Sequence, residues 1–250
     1  MLSTTELRDP QGVDKISLDR VLDFLAEHNF NALRLPLAVS AVLEGVRPRC
    51  MEDGGFYFTH NRPMMTMDLP TLLRHLAVEA GNRGVLIMLD LHSMAPGKWP
   101  DDGRVGTTGR DELIRAWGLL AEYLCDPVTY WNVFAADLKN EPHGMHWGRG
   151  PAEQRWDIVA AAIGEQVHAQ CPRWLLVVEG VGHCMSKEWS DCGGCFPCPT
   201  ASVAGQDMAI PTWWGENLQA AMTFPVTLSD AANKVVYSPH AYVRCNSHPF

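Results

Sequence analysis

The sequence predicts an α/β fold of the (β/α)8 TIM-barrel type, present in part. Three observations carry this expectation. Short apolar runs alternate with segments of helical period along the chain. The runs lack polar alternation, the mark of parallel strands covered on both faces. Polar residues also gather at the C-terminal ends of the runs, where barrel enzymes build their sites. A doubly wound sheet would share the first two features, but no glycine-rich phosphate loop follows any run. At 250 residues and 46% apolar content the chain suits one such domain.

The elements follow in order. SLDRVLDFLAEHNF has helical period and places Leu18, Val21, Leu22 and Leu25 on one face. NALRLPL is the first strand. DLPTLLRHLAVEAGNRG is a helix closed by glycine, and VLIMLDLH the strand after it. RDELIRAWGLLAEYL and VFAADLKNEP form the next pair, and EQRWDIVAAAIGEQVHAQ and WLLVVEGV the one after. A long irregular stretch then precedes a last strand, KVVYSPHAY. Five buried strands are therefore expected. Their ends carry Arg34, Asp90 with His92, Asn140 with Glu141, Glu179, and His240 with Tyr242.

Charge and composition narrow the function. A net charge of -9 and a pI near 5.5 leave no basic stripe for a phosphate backbone, so nucleic acid is not an expected partner. No run reaches the roughly 18 apolar residues of a membrane span. The start, MLSTTELRDP, lacks the basic and apolar regions of a signal peptide. Eight cysteines include a cluster, Cys184, Cys192, Cys195 and Cys198, in an insertion at about 183–210. Such crowding fits disulfides of a secreted protein, and its CxxC spacing also fits a metal or free thiols. EPHGMH brings Glu141, His143 and His146 together, but Pro142 breaks the helix a metal-binding HExxH would need.

Six segments, NALRLP, LDLH, DLKNEPHG, LLVVEGV, WWGENLQAA and VVYSPHAY, stand in one order between about residues 18 and 242. In that order and spacing they resemble glycoside hydrolase family five, the cellulase-type barrels. The resemblance implies hydrolysis of a β-linked polysaccharide, most simply cellulose or another β-1,4-glucan, with no cofactor. Retention needs two carboxyl groups roughly 5–5.5 Å apart, one an acid/base and the other a nucleophile. By resemblance Glu141 is the acid/base and Asn140 binds the sugar 2-hydroxyl. Arg34 lies under the catalytic carboxylates, and His92, His240 and Tyr242 line the subsite at the scissile bond. Trp213 and Trp214 match an aromatic pair that stacks on sugar rings. Glu179 is a rim residue in the family. Two departures stand out: Ser93 and Met94 follow DLH where Arg-Pro is common, and Glu216 replaces a second glycine, an extra carboxylate expected on an exposed loop.

The family nucleophile sits on the seventh barrel strand, and no segment of this chain matches it. Residues 1–16 do not read as the first strand either. The expectation is a single partial domain, 1–250, holding strands two to six of a secreted, monomeric, endoglucanase-like protein, inactive in isolation. A non-catalytic carbohydrate-binding protein is the alternative, and a metal or redox protein built on the cysteines a third.

Overall fold

A computed structural model describes residues 16–45, 60–95, 106–142, 145–182, 184–186, 189–190, 200–203, 206–209, 214–230 and 233–241. Helix α1 (Leu18–Glu27) leads into β1 (Ala32–Ala38), and α2 (Val39–Glu44) follows at once. Next come α3 (Leu69–Asn82) and β2 (Leu86–Ser93), then α4 (Gly106–Leu124) and β3 (Val133–Asp137), then α5 (Trp156–Gln170) and β4 (Leu175–Glu179). Two antiparallel hairpins, β5 (Cys184–Ser186) with β6 (Trp189–Ser190) and β7 (Thr200–Val203) with β8 (Gln206–Ala209), occupy the cysteine-rich stretch. The last strand is β9 (Val235–Ser238).

The five expected strands form one parallel sheet in the order β1-β2-β3-β4-β9. Each helix starts where local chemistry allows it. The Ser17 hydroxyl accepts from the Arg20 N–H, and the Asp68 carboxylate accepts from the Thr71 N–H with Pro70 in the first turn. Both caps satisfy amides that no helical carbonyl can reach. Helix α2 has no counterpart in the expected elements, because six residues are too few to show a period.

Strand side chains alternate between faces, and the two faces here differ. Leu35, Leu37, Ile87, Leu89, Leu91, Ala136, Leu176 and Val178 join α3, α4 and α5 in one core with Leu72, Leu73, Trp117 and Ile163. The opposite face carries Arg34, Asp90, Asp137 and Glu179. Two core indoles reach back to the strand tips. Trp117 donates to the Leu138 carbonyl and Trp156 to the Glu179 carbonyl, both at 3.0 Å. Helix packing and the polar end of the sheet are thus tied together.

One expectation is corrected. KVVYSPHAY was read as a buried strand, yet Val236 is 40% exposed and Tyr237 36%. Strand β9 lies at the end of the sheet order, with β4 as its one partner among the described residues, so one flank lacks cover. The cluster cysteines Cys192, Cys195 and Cys198 lie outside the described residues. The disulfide that is described joins Cys125 to Cys171, across a sequence separation of 46. It binds the end of α4 to the end of α5. Arg173, two residues on, donates to the carbonyls of Leu124, Cys125, Tyr130 and Val133 and so completes a collar around the same turn.

Closing a loop of this size restricts the unfolded chain by about 2–4 kcal/mol. The Cys125→Ser, Cys171→Ser double variant is expected to lose about that much in urea unfolding. An unchanged midpoint would show that the collar, rather than the covalent bond, holds this end of the fold.

Candidate active site

Arg34 emerges from β1 onto the polar face and meets carboxylates from the next three strands. Its Nη1 lies 3.0 Å from Asp90 Oδ2 on β2. Its Nε and Nη2 donate to Asp137 Oδ2 on β3 at 2.9 and 2.7 Å. Nη2 also donates to Glu179 Oε1 on β4 at 2.8 Å and to Asn140 Oδ1 at 3.0 Å. The three acids are 2% exposed or less, so their charges depend on this cation. Burial, and then the neighbouring Glu179 and Asp90 carboxylates, push the Asp137 carboxyl well above its usual range against the pull of Arg34.

A second bridge sits beside the first. His240, two residues past β9, donates through Nδ1 to Glu141 Oε1 at 2.9 Å and through Nε2 approaches Glu179 Oε1 at 2.9 Å. Burial alone would lower its pKa. Its hydrogen bonds to Glu141 and Glu179, and their charges, outweigh burial and raise it to about 10. The Glu141 N–H donates to Glu179 Oε2 at 2.7 Å. Glu141 itself is buried and has a left-handed φ of 45°, a conformation that costs a non-glycine residue about 1–3 kcal/mol and occurs mostly at functional positions.

His92 completes the β2 side. Its Nδ1 lies 2.8 Å from Asp90 Oδ2. The β1–β2 register shifts between Leu37 and Ala38, where Ala38 pairs with Ser93, so His92 sits at a bulge that re-aims the strand tip. Opposite, Trp214 is half-buried on a turn with Gly215 and Glu216. Gly215 has φ 79°, and a Cβ there would lie 3.0 Å from both Glu179 Oε2 and His240 Cγ. Its carbonyl accepts from the N–H groups of Gly180 and His240. Only a glycine lets this turn press so closely on the Glu179–His240 pair.

The structure therefore brings together Arg34, His92, Asn140, Glu141 and His240 from the expected set, with Trp214 on the adjoining turn. Trp213, Tyr242 and His143 lie outside the described residues. Two expectations change. Glu179, expected at the rim, is fully buried under it because Arg34, His240 and the Glu141 amide all converge on its carboxylate. Glu216, expected on an exposed loop, is half-buried. Asp137 and Lys139 were not expected at all. Asp137 had a signal, since an acid inside an apolar strand requires a buried partner.

The family model for Cellulase (glycosyl hydrolase family 5) matches residues 3–248. The chain belongs to this cellulase family. An endoglucanase of Paenibacillus polymyxa is 31% identical over 227 residues, covering 90% of this chain and 50% of that protein. The major extracellular endoglucanase of Xanthomonas campestris is 27% identical, covering 85% of this chain and 38% of its own length. The chain thus spans about half or less of the curated relatives it matches. Among solved structures, an endocellulase from Pyrococcus horikoshii aligns with TM-score 0.73 at 26% identity, over 96% of this chain and 61% of that one. A cellotetraose complex of that endocellulase aligns with TM-score 0.70. The five-stranded parallel sheet is part of a cellulase-family (β/α)8 barrel. Among the described residues no helix is long and apolar enough to cross a membrane.

The raised His240 pKa has a stability consequence of definite sign. A group whose folded pKa exceeds its unfolded value stabilises fully below the unfolded pKa and loses that contribution as pH rises through the folded one. Stability should therefore fall between pH 6.5 and about 10. Urea unfolding across this window should show the decline in the native chain and a flatter profile in His240→Gln. Equal slopes in the two proteins would contradict the bridge.

Proposed function

We propose that the chain carries the proton-transferring part of a β-1,4-glucanase site, as in a secreted endoglucanase, with Glu141 as the acid/base of a retaining double displacement. One observation carries this reading. Four carboxylates gather at or near the tips of β2, β3 and β4, and Arg34 holds three of them: Asp90, Asp137 and Glu179. The fourth, Glu141, meets His240 through its side chain, and the same ring also reaches Glu179. In the first step Glu141 would give its proton to the glycosidic oxygen as the bond to the leaving sugar breaks. In the second it would take a proton from the water that releases the glycosyl group.

Asn140 adjoins Glu141 with its Oδ1 fixed by Arg34, which turns its amide N–H2 into an oriented donor for a substrate hydroxyl. Such a bond gains strength as positive charge develops at the anomeric centre. Trp214 on the neighbouring turn offers an indole for the apolar face of a sugar ring, with Trp213 in the same role. Asp90, Asp137 and Glu179, buried and committed to Arg34, are poorly placed to attack an anomeric carbon. The nucleophile, which the family resemblance places on the seventh barrel strand, is accordingly assigned to a carboxylate outside the described residues. The family membership and the cellotetraose bound by the Pyrococcus endocellulase support a cello-oligosaccharide as ligand.

The test inserts this chain into the Paenibacillus polymyxa relative in place of the segment it matches, so that strands on both sides are supplied, and assays soluble β-glucan. The fusion should hydrolyse it, the 250-residue chain alone should not, and Glu141→Gln in the fusion should lower kcat about 10²–10⁴-fold. A glycoside with a strongly acidic phenol leaving group should be spared most of that loss in its first step, since it departs without a proton. Hydrolysis by the chain alone that disappears in Glu141→Gln would place a nucleophile within it. An active fusion indifferent to Glu141→Gln would remove the acid/base role.

A further inference from the structure

Lys139 is a buried lysine, 1% exposed, between the apolar end of β3 and the Asn140–Glu141 pair. Its Nζ donates to the backbone carbonyl of His92 at 3.0 Å and to that of Asn140 at 2.9 Å. The first contact binds the tip of β2. The second acts on the peptide that joins Asn140 to Glu141. The N–H of that same peptide donates to Glu179 Oε2 at 2.7 Å. In a trans peptide the C=O and N–H point to opposite sides. A cationic amine therefore grips one end of the peptide dipole and a carboxylate grips the other.

The consequence is conformational. Glu141 has φ 45°, a left-handed value that its own side chain disfavours. Turning the Asn140–Glu141 peptide over by about 180° would return the Glu141 φ to the negative range that L-residues prefer. The same turn would aim the carbonyl at the Glu179 carboxylate and the N–H at the Lys139 amine, and both contacts would be repulsive. Charge on both sides thus selects the orientation that backbone sterics alone would reject. The rest of residue 140 is also held, by its N–H to the Leu91 carbonyl and its Oδ1 to Arg34. From this fixed peptide the Glu141 side chain reaches His240 Nδ1 at 2.9 Å.

We propose that Lys139 is the positioning residue of the acid/base: opposed by Glu179, its buried amine fixes the Asn140–Glu141 peptide and with it the direction of the Glu141 carboxyl. The proposal rests on the reading of Glu141 as acid/base. Lys139 acts through the backbone carbonyls of His92 and Asn140, and the second belongs to the peptide that carries Glu141.

The test is amide hydrogen exchange and ¹⁵N NMR on the full chain, which need no hydrolysis. In Lys139→Met the Glu141 amide should exchange at least about tenfold faster, because a charge-assisted hydrogen bond has lost its geometry. Its proton resonance should move upfield, and the His240 ring signals should shift with it. The amides of Ala136 and Val178, inside β3 and β4, should keep their protection. Lys139→Arg, which retains a cationic donor, should stay near the native pattern. Should Lys139→Met fail to fold, Lys139→Gln is measured by the same criteria. An unmoved Glu141 amide would overturn the proposal, and so would equal acceleration at Ala136, Val178 and Glu141, which would make Lys139 a general fold element. Either result leaves the acid/base reading of Glu141 standing. Conversely, a fusion indifferent to Glu141→Gln would remove that reading while the amide result stood.

Discussion

The site depends on one guanidinium. Arg34 on β1 is shared by Asp90, Asp137 and Glu179, one carboxylate from each of the next three strands. Parallel strands are joined along their length by backbone hydrogen bonds, but their tips splay unless something draws them together. Here a single planar cation with several donors does so, a geometry that lysine's point charge could not supply. Glu179 then passes the connection to His240, and His240 to Glu141. Every strand of the sheet is reached through this chain of contacts, so the placement of the proposed acid/base is a property of the whole polar face.

Such a cluster is costly unless complete. Three buried acids around one arginine leave excess negative charge, and two features relieve it. The Asp137 carboxyl is pushed toward its neutral form by burial and its acidic neighbours. His240 keeps its proton up to about pH 10 because Glu141 and Glu179 both accept from or face its ring. The cluster exchanges stability for a fixed arrangement of charge in a water-poor site, where oriented groups act more strongly than they would in solvent. The buried indoles of Trp117 and Trp156, bonded to carbonyls at Leu138 and Glu179, hold the backbone that carries it.

Much of this was legible in the sequence, for physical reasons that can be named. Apolar runs such as VLIML leave a parallel strand no other place than between two covered faces, so a parallel sheet followed from the alternation, and the polar strand ends pointed to a barrel. Arg34 between leucines required carboxylate partners, and it has them. Asn140, Glu141 and His240 stood at strand ends and are brought together there. What escaped was set by side-chain direction and tertiary contact. Asp137 carried an unread signal, an acid inside an apolar strand, and Lys139, just past that strand, gave none before its contacts with His92 and Asn140 were seen. Glu179 was read as a rim residue by resemblance, and a strand end does not reveal which groups converge on it. The Cys125–Cys171 bond was hidden because its partners lie far apart in sequence and away from the cysteine cluster. The exposure of β9 depended on its position in the sheet order, which composition does not encode.

The most direct measurement of the central claim is the pH dependence of unfolding in Arg34→Met. Without the cation, the buried carboxylates can be accommodated only by taking up protons, so their folded pKa values rise. A raised folded pKa means stability that is present at low pH and lost as pH increases. The variant should be about 3–5 kcal/mol less stable than the native chain near pH 8, with the difference shrinking steadily toward pH 4. A loss below about 1 kcal/mol, the range of an exposed ion pair, or one that does not vary with pH, would contradict the account.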